Sequence, residues 1–103
     1  MKRYYVYMLE CRDGSFYIGI TSDLERRVGQ HSFGWDPKCY THSRRPVQLV
    51  YSTDFANVEN AIRWEKQIQK WSRRKKIALI MGDWDGVRLY GHGRPARGST
   101  SSP

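Results

Sequence analysis

The sequence predicts a small α+β domain. Two short aromatic and β-branched runs over residues 4–19 read as a hairpin, and a similar run over 47–52 reads as a third strand. Two further stretches, one from residue 22 and one over 58–80, carry helical periodicity. A chain of 103 residues supports one modest core. The expected boundaries are a domain over 1–90 and a disordered basic tail over 91–103, where Gly, Ser, Pro and Arg replace apolar residues.

The hairpin comes first. Tyr4-Tyr5-Val6-Tyr7-Met8-Leu9 and Phe16-Tyr17-Ile18-Gly19 flank Asp13-Gly14, a strong turn signal. Strand alternation puts Tyr5, Tyr7 and Leu9 on one face and Val6 and Met8 on the other. A two-residue loop would set Tyr7 opposite Ile20 and send Tyr17 to the other face. A three-residue loop, Arg12-Asp13-Gly14, would set Tyr7 opposite Gly19 and bring both phenols to one face. Gly14 suits the left-handed last position of the longer loop, which is therefore favoured.

Ser22, followed three residues later by Glu25, has the form of a capping box and starts the first helix. At about 100° per residue, Leu24, Val28 and His31 form its buried stripe. Arg27 borders that stripe while Arg26 faces solvent. A guanidinium held against the sheet needs an anion, either a carboxylate of this chain or a phosphate of a ligand. Residues 32–46 lack periodicity and form a long loop in which Lys38, His42, Arg44 and Arg45 alternate with Trp35 and Tyr40. Basic residues interleaved with aromatics suit a nucleic-acid backbone and unstacked bases.

Val47 to Ser52 is the third strand, with Pro46 at its entrance where no ladder donor is lost. Residues 58–80 read as helix, interrupted near Trp71-Ser72. Ala61, Trp64, Ile68 and Trp71 make its apolar stripe, and Arg63, Lys66, Lys70, Arg73 and Arg74 cluster opposite, as a solvated or a phosphate-contacting face. Glu65 lies beside the apolar stripe and needs a partner: a cation, hydrogen-bond donors, a metal, or Arg27 itself. Val87-Arg88-Leu89-Tyr90 reads as a short edge strand.

Lys and Arg total 18 against 10 Asp and Glu, a formal net charge of +8. That excess predicts attraction to polyanions, nucleic acid before anionic membrane. Cys11 and Cys39 have no metal-ligand spacing and need no disulfide. No apolar run approaches a signal peptide or the roughly 20 residues that cross a bilayer. A reducing, cytoplasmic setting is expected, with no membrane partner.

Taken together these residues resemble the GIY-YIG nuclease superfamily, and most closely its small stand-alone bacterial members. Tyr5-Val6-Tyr7 stands in for the first signature and Tyr17-Ile18-Gly19 matches the second. The likeness continues through Asp23-Leu24-Glu25-Arg26-Arg27, Arg44-Arg45-Pro46-Val47, Glu65-Lys66-Gln67-Ile68 and Trp71-Ser72-Arg73, ending with Lys75 to Ile80. The resemblance implies a three-stranded antiparallel sheet flanked by helices and an active site like that of the excision-repair endonuclease subunit. Tyr7, Tyr17, Arg27 and Glu65 match the family's two tyrosines, helix arginine and metal-binding glutamate. His31 falls where some members carry a further catalytic or substrate-contacting group.

The implied activity is metal-dependent hydrolysis of phosphodiesters in DNA, with RNA as the alternative substrate and structure-selective cutting in repair or recombination as the setting. The implied cofactor is Mg²⁺ on Glu65, with Mn²⁺ as a substitute. Tyr7 is the first choice for the base, its phenolate favoured by Arg27 and the metal. Arg44, Arg45, Lys66, Lys70, Arg73 and Arg74 are the expected nucleic-acid contacts. Three positions depart from the family: Tyr5 replaces the name-giving glycine, Trp64 stands where relatives carry arginine, and Met81 to Trp84 lacks a late asparagine. A non-catalytic nucleic-acid-binding module is the competing reading. The sequence leaves the oligomeric state undetermined.

Overall fold

The computed structural model describes residues 2–90, so the tail expected over 91–103 lies outside the described residues. Three antiparallel strands form one sheet in the order β2-β1-β3, with β1 spanning Tyr4–Glu10, β2 Phe16–Thr21 and β3 Gln48–Phe55. β1 is the central strand, and its Val6, Tyr7, Met8 and Leu9 are all 0% exposed. A strand covered on both faces cannot alternate buried with exposed residues, so its polar tyrosine is as deeply buried as its aliphatic neighbours.

The hairpin uses the three-residue loop. The amide of Cys11 donates to the Ser15 carbonyl at 2.8 Å, and the Gly14 amide donates to the Cys11 carbonyl at 2.9 Å. Gly14 has φ 85°, the left-handed conformation a side chain disfavours. The resulting register pairs Tyr7 with Gly19 and Leu9 with Tyr17. On the other side of β1, Met8 faces Tyr51 and Leu9 faces Leu49, so Val50 is bulged out of the ladder. β3 runs past Ser52 because Thr53, Asp54 and Phe55 pair with Val6, Tyr5 and Tyr4, a cross-strand contact that local composition does not reveal.

The first helix, α1, spans Leu24–Phe33. Its cap is Asp23 and not Ser22: the Asp23 carboxylate accepts from the Arg26 amide at 3.2 Å, while Asp23's own amide donates to the Thr21 hydroxyl at 3.0 Å. A charged oxygen at the positive helix end is a stronger acceptor than the serine one residue earlier, which shifts the start by one position. Gly34, at φ 74°, closes α1.

α2 spans Val58–Gln69 and α3 spans Arg73–Ile80, separated where the sequence places the interruption. The Ser72 hydroxyl caps α3 by accepting from the Lys75 amide. The segment expected as an edge strand is instead the helix α4, Trp84–Leu89. Its run is too short for periodicity to separate strand from helix, and the Asp83 carboxylate, accepting from the Gly86 amide at 3.0 Å, settles it.

The chain divides into two compact units, one ending at Glu65 and the other beginning at Lys66. The first holds the sheet, α1 and the start of α2. In the second, α3 and α4 pack together, and Ile68, Trp71, Ala78, Leu79 and Val87 are buried. Both cysteines are free thiols. Among the described residues no helix is long and apolar enough to cross a membrane.

Candidate active site

The hairpin register sets the site. Tyr7 and Tyr17 lie on one face, ring centroids 6.3 Å apart. Gly19 makes this possible. A Cβ there would sit 2.5 Å from the Tyr7 hydroxyl oxygen and 2.6 Å from its Cζ, so the phenol fills the space that a side chain would take. α1 then lays His31 over both rings, its centroid 4.9 Å from Tyr17 and 5.9 Å from Tyr7. The Tyr7 hydroxyl is 3.0 Å from His31 Nε2.

The loop after α1 folds back onto the same histidine. Thr41 Oγ1, 1% exposed, is 2.8 Å from His31 Nδ1 and donates to Cys39 Sγ at 3.5 Å. Cys39 also lies within electrostatic reach of the Tyr17 phenol. Tyr40 stacks on Tyr17 at 6.3 Å and 21°, and carries the Arg44 guanidinium 3.8 Å from its ring centroid.

Arg27, half-buried and one turn before His31, supplies the positive charge. Its Nε donates to Gln30 Oε1 at 3.1 Å, and its charge lies within electrostatic reach of the Tyr7 phenol. The Tyr7 phenol is nevertheless pushed well above its ordinary value. Burial raises it most and Tyr17 adds to that, outweighing the pull of Arg27. Arg27 favours the Tyr7 phenolate as expected, but the full burial that opposes it, which the sequence does not show, wins.

Tyr17 is half-exposed. Its phenol is also raised, first by burial and then by Cys39, while Arg27 pulls it down; the Glu65 carboxylate raises it further. Glu65, half-buried on α2, therefore lies within electrostatic reach of Tyr17. His31 is pushed below its ordinary value by burial and by Arg27, which keeps the imidazole neutral. Tyr7, Tyr17, Arg27, His31 and Glu65 thus all belong to the first unit, coupled by hydrogen bonds or charge.

The expected nucleic-acid contacts are less uniform. Arg44 is held by Asp13 Oδ2 at 3.2 Å, by the Tyr40 carbonyl at 2.9 Å and by the Tyr40 ring. Arg45 Nε donates to the His42 carbonyl at 2.7 Å, and its guanidinium lies where a Cβ on Gly34 would be. Both arginines tie the long loop down. Lys66, Lys70, Arg73 and Arg74 are exposed and belong to the second unit. The break before α3 takes Arg73 and Arg74 off the single helical face expected from the sequence, and Arg74 stacks on Tyr90 at 4.2 Å. Trp64 donates its indole N–H to the Tyr51 hydroxyl at 3.2 Å, which ties it to β3.

Among the described residues no group of three or more His, Cys, Asp or Glu side chains could hold a metal ion. Any divalent cation here would be a hard ion held by few protein oxygens and keeping most of its water. A half-buried carboxylate such as Glu65 fits that donor set, and Mg²⁺ is the ion that behaves this way most readily. Thr41 and Cys39 escaped the sequence reading, since a Thr and a Cys in an aperiodic loop carry no positional signal.

The family model for the GIY-YIG catalytic domain matches residues 3–78. The UPF0213 protein BH0048 of Halalkalibacterium halodurans is 47% identical over 77 residues, covering 75% of this chain and 81% of that protein. The UPF0213 protein SSP2268 of Staphylococcus saprophyticus is 44% identical over 80 residues, covering 78% and 96%. The solution NMR structure of the UPF0213 protein BH0048 from Bacillus halodurans aligns with a TM-score of 0.52 at 41% identity, covering 82% of this chain and 93% of that one. That of the protein EF2693 from E. faecalis gives 0.57 at 30% identity, covering 91% and 97%.

Proposed function

The chain belongs to the GIY-YIG catalytic-domain family, and from that premise we propose that it is a divalent-metal-dependent endonuclease hydrolysing phosphodiester bonds in DNA. The observation that carries this reading is the position of Tyr17, a half-exposed phenol acted on by both the Arg27 cation and the Glu65 carboxylate. Phosphodiester hydrolysis needs a positioned water, a cation for the crowded anionic phosphorus and a neutralised leaving oxygen. These three groups supply that set.

Glu65 would hold Mg²⁺, with Mn²⁺ as a substitute. When bound, the cation offsets the carboxylate charge that raises the Tyr17 phenol and neutralises charge on the leaving oxygen. Arg27 has N–H groups beyond the one given to Gln30, and these face charge on the transferring phosphate. Tyr17 meets the attacking water and takes its proton. This moves the base from Tyr7, the first choice on sequence, because Tyr7 is 0% exposed and its phenol is the more strongly raised. Tyr7 and His31 support Arg27 from behind.

The second unit's Lys66, Lys70, Arg73 and Arg74 provide sequence-independent phosphate contacts. Repair or recombination in the cytoplasm is the setting that family analogy supports. A second reading, a non-catalytic nucleic-acid-binding module, is favoured by the +8 charge and by the engagement of Trp64 with Tyr51.

Labelled single-stranded, duplex and branched DNA, incubated in Mg²⁺ or EDTA, distinguishes the two. The nuclease reading expects metal-dependent cleavage that Glu65→Gln abolishes while binding persists. Binding without cleavage on every substrate, in Mg²⁺ and in Mn²⁺, would leave the binding module.

A further inference from the structure

Thr41 and Cys39 have no role in the reaction as described, yet both are built into the polar centre of the first unit. The direction of the hydrogen bonds there follows from proton counting. The buried Tyr7 hydroxyl must place its own proton on an acceptor, and among the described residues His31 Nε2, at 3.0 Å, is the one in contact. Nε2 is therefore unprotonated.

A neutral imidazole with a bare Nε2 carries its proton on Nδ1. That proton points at Thr41 Oγ1, 2.8 Å away. Thr41 has a single hydroxyl proton, and it goes to Cys39 Sγ at 3.5 Å. The bonds then run one way, Tyr7 to His31, His31 to Thr41 and Thr41 to Cys39, with Cys39 Sγ also 3.8 Å from His31 Nδ1. Turning Thr41 round would put a proton on Nε2. Tyr7 would then accept from His31, and its own buried proton would lose its partner, at a desolvation cost.

We infer that Thr41, anchored by Cys39, is a positioning residue that fixes His31 in the Nδ1–H tautomer and so holds the Tyr7 hydroxyl in its place within reach of the Arg27 cation. The orienting function rests on the nuclease reading above; the tautomer does not. It belongs to the folded protein with or without substrate. The depressed basicity of His31, from burial and from Arg27, is consistent with a ring that stays neutral.

The test is ¹⁵N NMR of the His31 imidazole in the full chain, together with hydrolysis by wild type, Thr41→Val and Thr41→Ser. In wild type, Nδ1 carries the proton and Nε2 shows the downfield shift of a bare ring nitrogen. Thr41→Val shifts the tautomer populations and lowers kcat by about tenfold, the usual scale for groups that orient a first contact. KM stays unchanged, and Thr41→Ser restores both readouts. An Nε2–H tautomer in wild type overturns the inference, whatever the activity. So does a Thr41→Val protein with unchanged imidazole shifts and unchanged kcat. The predicted tautomer in a protein that cleaves nothing would overturn the nuclease reading and leave the donor chain standing.

Discussion

Gly19 lies directly across the hairpin from Tyr7, and the phenol of the tyrosine occupies the volume a side chain at Gly19 would need. Neither neighbour can yield cheaply. The strand backbone is held by the ladder, and the Tyr7 hydroxyl is held by His31. Gly19→Ala is therefore expected to destabilise the protein by about 1–3 kcal/mol, the usual cost of overpacking a filled core. Urea unfolding measures this. An unchanged midpoint would mean that Tyr7 has room to move and that its place in the site is not enforced by the glycine.

Tyr7→Phe keeps the ring and removes the oxygen between Arg27 and His31. His31 Nε2 is left buried without its donor, so a loss of roughly 1–3 kcal/mol is expected. Nuclease activity should fall as well, because the hydroxyl that His31 holds within reach of Arg27 is gone. Full stability in the phenylalanine variant would argue that Nε2 is satisfied in some other way.

The pH dependence of stability follows from His31. Its pKa in the folded protein lies below the ordinary 6.5, so the unfolded chain takes up a proton first as the pH falls. Stability is then complete above pH 6.5 and declines as the pH drops through the window between 6.5 and the folded value. Thermal unfolding from pH 7.5 down to pH 5 should show a falling Tm, and His31→Gln should flatten that slope. A slope identical in both proteins would assign the acid sensitivity elsewhere.

The cap on α4 offers a local test in the second unit. Asp83 accepts from the Gly86 amide, and the Val87 and Tyr90 amides donate to the Asp83 and Gly86 carbonyls. Asp83→Ala should cost about 1 kcal/mol. Hydrogen exchange at Val87 and Tyr90 should accelerate, while β1 keeps its protection. Uniform acceleration through the sheet would show instead that α4 unfolds only with the rest of the chain.

The sequence by itself determined the elements whose signals are local. Asp13-Gly14 with a left-handed glycine set the hairpin loop, and with it the shared face of Tyr7 and Tyr17. Helical spacing marked Arg27 as half-turned inward and Arg26 as outward, and placed the interruption before Ser72. Alternation and helical period are short-range geometry, readable from residue types alone. Local signals fell short where two candidates compete over a few residues, as with Ser22 against Asp23 at the start of α1, or helix against strand over Val87–Leu89.

Tertiary structure alone decided the chemistry of the tyrosines. Whether Arg27 or burial wins at Tyr7 depends on how completely β1 is covered, and coverage is made by chain segments distant in sequence. The loop arginines that looked available for phosphate are engaged with Asp13, Tyr40 and His42, and the loop instead brings Thr41 and Cys39 to His31. Hydrogen-bond direction and desolvation are properties of three-dimensional neighbours, and an aperiodic loop gives no advance notice of which neighbours it will supply.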